Sequence, residues 1–167
     1  MNEKPILFSG EMVRAILDGR KTQTRRVITE KWQQCESPED QPQTFVSWCP
    51  YGQPGDRLWV KETFAMAIPA GASIHAERKP VYRADGEVVP KWKPSIFMPR
   101  WASRITLEIV NVRVERLQGI GGTDAFAEGG FTVTQFIELW NSINASRGYG
   151  WDANPWVWII EFKRIEQ

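Results

Sequence analysis

Apolar residues recur along this chain with two alternating periods, and the changes of period mark out its elements. Pro5-Ile6-Leu7-Phe8 is a short apolar run and predicts a buried strand. From Gly10 to Asp18, Met12, Val13, Ile16 and Leu17 fall on one helical face. Ser9 stands where an N-cap belongs, and Gly19 where the helix must end. Thr22 to Ile28 then predicts a strand. Residues 29–56 lose all periodicity and predict an irregular excursion held to the body by Trp32, Phe45 and Trp48. Beyond the Gly55-Asp56 turn, Arg57 to Phe64 predicts a strand with Leu58 and Val60 on one face. Residues 67–79 form a second loop. Pro80 to Arg83 is a short strand closed by the Asp85-Gly86 turn, with Val88-Val89 a candidate return strand, and 90–99 is extended.

The longest strand spans Arg104 to Arg116. Ile105, Leu107 and Ile109 alternate on one parity, then Val110, Val112 and Val114 on the other, so a bulge or sharp bend is expected where they meet. Thr123 to Glu128 is a short helical turn. Thr132 with Gln135 fits a capping box that opens a helix with Phe136, Ile137, Leu139, Trp140 and Ile143 as its apolar stripe. Pro155 to Ile165, apolar on both faces at first, predicts a central strand. Strands interleaved with short helices, without repeat or linker, predict a single α+β domain over residues 1–167, built on a curved or closed mixed sheet.

The net charge of +1 argues against a whole-molecule field for nucleic acid, so any such contact must come from local patches. No apolar run is long enough to span a membrane, and the first residues lack the basic and apolar segments of a signal peptide, so a cytoplasmic protein is expected. Two cysteines, Cys35 and Cys49, are expected as free thiols. One histidine, His75, and no Cys-x-x-Cys make a zinc site improbable, and no cofactor is expected. Most of the nine tryptophans must be core.

The densest chemistry lies in Gly19-Arg20-Lys21-Thr22-Gln23-Thr24-Arg25-Arg26, with four cations and no acid. This motif, the Gly55-Asp56 turn into Leu58-Trp59-Val60, and Leu117-Gln118-Gly119-Ile120 followed by Ala125-Phe126-Ala127-Glu128-Gly129 together resemble the ASCH domain, a relative of the PUA fold. The resemblance covers nearly the whole chain apart from insertions at about 29–56 and 67–98, and its larger form is similar to members carried by phages and prophages. It implies a small PUA-like β-barrel with flanking short helices and an association with RNA. Some small bacterial members are amidohydrolases acting on N4-acetylcytidine. Their catalytic Lys, Thr and Glu correspond here to Lys21, Thr24 and Glu128.

Lys21 and Thr24 are three apart, so on a regular strand they would face opposite ways; they converge only if Lys21 precedes the strand or a bulge intervenes. Converged, a buried Lys21 would serve as base, Thr24 as nucleophile and Glu128 as acid/base. Of Arg25 and Arg26, one should face inward, as an anion anchor or an ion-pair partner of Glu62 or Glu108. Glu62 falls on an apolar face and needs a partner, Lys21 or an arginine; it rivals Glu128. Lys91, Trp92, Lys93 and Arg100 resemble a single-strand binding surface, with Tyr82 a further stacking candidate and Trp101 assigned to the core. A nucleoside-directed hydrolase, an RNA-binding module and, last, a metal-independent ribonuclease remain as functions, with RNA or a modified nucleoside as partner.

Overall fold

The computed structural model describes residues 1–34 and 36–166. Eleven regular elements follow one another: β1 (Glu3–Leu7), α1 (Gly10–Leu17), β2 (Gln23–Val27), α2 (Pro42–Ser47), β3 (Arg57–Lys61), β4 (Phe64–Ala67), β5 (Lys79–Tyr82), β6 (Thr106–Arg116), α3 (Gly122–Ala127), α4 (Val133–Asn144) and β7 (Trp156–Ile165). Five strands form one mixed sheet in the order β1-β3-β6-β7-β2. β1 runs parallel to β3 and the other neighbours are antiparallel. β4 and β5 form a separate hairpin. The α+β class holds, but the expected barrel does not close: no pairing joins the edge strands β1 and β2 among the described residues.

β7 lies between β6 and β2, and its apolar run feeds both faces. Trp158 and Ile160 pack with Met12, Val13 and Ile16 of α1 and Phe45 of α2. Val157 and Ile159 pack with Ala125 of α3 and with Phe136 and Trp140 of α4. Burial on both faces is why this strand shows no alternation at its start. The parity switch in β6 is a bulge: the register with β7 shifts between Ile109 and Asn111. Val110 is thereby left half exposed, while Ile109 and Val112 both enter the core. Both predicted caps form: the Ser9 hydroxyl accepts from the Met12 amide, and Thr132 and Gln135 close a reciprocal box.

Four expectations need correction. The excursion at 29–56 contains α2, whose Phe45 is completely buried and whose carbonyl accepts a 2.7 Å bond from the Trp158 indole; Trp48 lies 39% exposed. The predicted Arg57–Phe64 strand breaks at Glu62-Thr63, and its two halves join different sheets. Val88-Val89 forms no strand, because β5 returns along β4 instead, and Val88 is exposed. Trp101 is 69% exposed; in its short 3-10 turn it is Ala102 that enters the core. Cys49 is a buried free thiol whose pKa burial pushes up; Cys35 lies outside the described residues.

Candidate functional site

The basic motif crosses the gap between the ends of two helices before it becomes a strand. The amides of Arg20 and Lys21 donate to the Ala15 carbonyl of α1, and the Thr22 amide donates to the Ala127 carbonyl of α3. Lys21 itself forms an isolated antiparallel bridge with Glu128. β2 starts only at Gln23, so Lys21 is free of the strand's alternation and shares a cavity with Thr24. After Glu128 come two glycines with positive φ, Gly129 and Gly130, the second in the left-handed region at φ +84°.

Lys21 is almost wholly buried. Its Nζ donates to the Gln23 carbonyl at 2.8 Å, the Glu128 carbonyl at 2.8 Å and Glu128 Oε2 at 3.2 Å. Three acceptors match the three protons of an ammonium. Burial pulls the Lys21 pKa below the usual lysine range, against the opposing attraction of Glu128. Arg25 completes the pairing. Its side chain is 1% exposed, and its two Nη atoms reach Glu128 Oε1 at 2.7 Å and Asp124 Oδ2 at 3.1 Å. Asp124 also receives Arg113, which pairs in addition with Glu115 and Glu161. Asp124, in the first turn of α3, and Glu128, at its C-cap, are four residues apart, so they present both carboxylates to the same guanidinium.

Lys21, Thr24, Arg25, Arg26 and Glu128 line a cavity of about 470 Å³. Its apolar walls include Phe8 and Tyr51, and Phe136, Leu139 and Trp140 of α4. That volume falls within the range of about 300–1,000 Å³ typical of small-molecule sites. A lining that combines charged and hydroxyl groups with apolar and aromatic side chains suits a flat heterocycle with hydrogen-bonding edges.

The remaining sequence candidates lie elsewhere. Glu62 is buried, as its apolar face required, but its partner is Arg104, which holds it through two bonds of 2.9 and 3.1 Å; Glu62 does not line the cavity. Burial raises the Glu62 pKa and Arg104 opposes the rise. The Tyr82 ring lies 4.0 Å from the Arg104 guanidinium and its hydroxyl donates to the Ala102 carbonyl, outside the cavity. Arg100 pairs with Glu3, and Lys93 lies beside the Phe64 ring. Lys91 and Trp92 likewise stand apart from the cavity. Asp124, Arg113 and Arg147 were not among the sequence candidates. The helical spacing of Asp124 and Glu128 was a signal for the first, whereas Arg113 and Arg147 carried none.

The fold defines an ASCH-like α+β domain. The chain is similar to the ASCH domain of Lactobacillus crispatus JV V101, with a TM-score of 0.52 and 14% identity over 98% of this chain and 79% of that one. It is also similar to protein EF3133 of Enterococcus faecalis V583, of family DUF984, with a TM-score of 0.50 and 9% identity over 99% of this chain and 80% of that one. No protein-family model matches the sequence, and no curated protein matches it.

Proposed function

We propose that this cavity takes a nucleoside and hydrolyses an exocyclic amide on its base, as in N4-acetylcytidine. The observation that carries the proposal is the convergence of Lys21 and Thr24 with Glu128, more than a hundred positions away in sequence, on one nucleoside-sized cavity. The resemblance to ASCH domains, a family associated with RNA, supports the substrate class.

In this mechanism the base is the neutral amine of Lys21, a form that burial makes easier to reach by lowering the lysine pKa. That amine takes the Thr24 hydroxyl proton as Oγ1 bonds to the acyl carbon. The C–N bond then breaks, and the departing amine takes the proton back from Lys21 by way of Glu128. Water attacks the acyl carbon of the resulting threonyl ester and gives a proton to the same base. The base passes it to Thr24 Oγ1 as the ester C–O bond breaks, releasing the carboxylic acid and restoring the Thr24 hydroxyl and the neutral amine. Arg25, bound to Glu128 and Asp124, fixes the carboxylate in place throughout. Hydrolysis of N4-acetylcytidine by the wild type and by Lys21→Ala, followed by chromatography, tests the proposal. Turnover lost in a variant with wild-type circular dichroism is expected; a folded wild type that releases no acetate refutes it.

A non-catalytic RNA-binding module is the second reading. It is favoured by the saturation of the Lys21 ammonium, whose three protons are all engaged as a structural cation's would be. It predicts graded, salt-dependent RNA affinity without turnover.

A further inference from the structure

The cations around this cavity divide into two sets. Lys21, Arg25 and Arg113 share the carboxylates of Glu128, Asp124, Glu115 and Glu161, so that network contains its own counter-charge. Arg26 and Arg147 also line the cavity, and neither forms an ion pair with any carboxylate among the described residues.

Arg26 is the more unusual of the two. Its guanidinium lies 5.2 Å from the centre of the Phe8 ring and 5.8 Å from that of Tyr51. Nη2 donates to the Leu7 carbonyl at 2.8 Å, and Nε is buried without an acceptor. A guanidinium offers five N–H donors in a planar fork, so this one keeps most of its donors unused. A partly buried cation without a counter-ion carries a desolvation cost, and an anionic ligand offsets it. Arg147 is exposed and is held only by Asn144 Oδ1 at 3.3 Å and the nearby Tyr149 ring.

We propose that Arg26, assisted by Arg147, is a phosphate subsite of this cavity, so that its ligand is a nucleotide rather than a free nucleoside. This deepens the nucleoside proposal and rests on it. The phosphate is either the terminal monoester of a mononucleotide or the diester of a short RNA strand, both of which the fork binds through paired oxygens.

Isothermal titration of the wild type, Arg26→Gln and Arg147→Gln with cytidine, cytidine 5′-monophosphate and the dinucleotide CpC tests it. The monophosphate should bind at least about tenfold more tightly than cytidine, and each variant should reduce that ratio. Equal gains for CpC identify a backbone diester; gains for the monophosphate alone identify a terminal one. Cytidine bound with no phosphate preference overturns the subsite while the nucleoside proposal stands. If no nucleoside or nucleotide binds, the nucleoside proposal fails, and titration with pyrophosphate decides the subsite separately. Saturation that is lost in Arg26→Gln supports the anion site, and its absence in the wild type overturns it. Arg147→Gln, at an exposed position, serves if Arg26→Gln does not fold.

Discussion

Replacing Lys21 by methionine keeps most of the unbranched apolar stem and removes the ammonium and its charge. The loss should be substantial, because Lys21 and Glu128 are only 2% and 5% exposed at their side chains. Breaking a buried ion pair costs about 3–5 kcal/mol, mostly through the charge left without its partner. Here Glu128 keeps Arg25 at 2.7 Å, which places the loss at the lower end, about 3 kcal/mol. The carbonyls of Gln23 and Glu128 also lose a charged donor, while the methionine retains the apolar stem. For a domain of this size each kcal/mol shifts Tm by roughly 2–4 °C, so Lys21→Met should melt about 6–12 °C lower. Urea unfolding at pH 7, followed by circular dichroism and tryptophan fluorescence, gives the free energy. The double variant that adds Glu128→Gln should lose less than the sum of the two single losses, with a coupling of about 1–3 kcal/mol between the two sites. A Lys21→Met protein as stable as the wild type, or a double variant that loses the sum of the two single losses, would refute the buried pairing.

Other outcomes follow from the same structure. Arg104→Gln leaves the buried Glu62 without its cation; its already raised pKa rises further, so the variant should be least impaired below pH 4.5 and lose stability progressively as the carboxyl ionises at higher pH, as urea midpoints at pH 5 and 8 would register. If Lys21 is the base, kcat/KM should climb as pH rises through its lowered pKa, and the climb should be absent from any residual activity of Lys21→Ala. Thr24→Ala should abolish hydrolysis and Thr24→Ser should retain some of it, as measured by acetate release. Phe45→Ala should cost about 3–5 kcal/mol in urea unfolding, a core-sized loss from within an insertion; a change below about 1 kcal/mol would show α2 to be only loosely attached.

Much of the framework was legible where local pattern and tertiary packing agree. Ser9, Thr132 and Gln135 declared two helix starts, and the change of parity near Ile109 declared the bulge in β6. The central place of β7 could be read from apolar residues on both its faces. Pattern failed where a distant partner decided the outcome. Glu62 sits on the expected buried face, yet only the fold brings Arg104 to it. Trp101 looks like core by composition, but the turn from Arg100 to Ala102 directs it outward. α2 carries no regular apolar stripe, and its main anchor is Phe45 packed near Trp158, far along the chain. Within the site, the Lys21–Glu128 contact spans 107 positions, a pairing no local pattern could reveal; its residues were found through the motif resemblance.

Among the described residues β2 pairs only with β7 in the sheet, and the Thr22 carbonyl accepts from the Phe162 amide. This has a consequence for the timing of biosynthesis. The basic motif leaves the ribosome well ahead of the strand that secures it, which lies roughly 130 residues later, a delay of about 6–26 s at 5–20 residues per second. Glu128 is already in the chain before that strand emerges, but until then β2 has no β7 to pair with. A nascent chain stopped before Trp156 therefore carries the motif without a finished cleft, and competence should arrive abruptly with the closing strand.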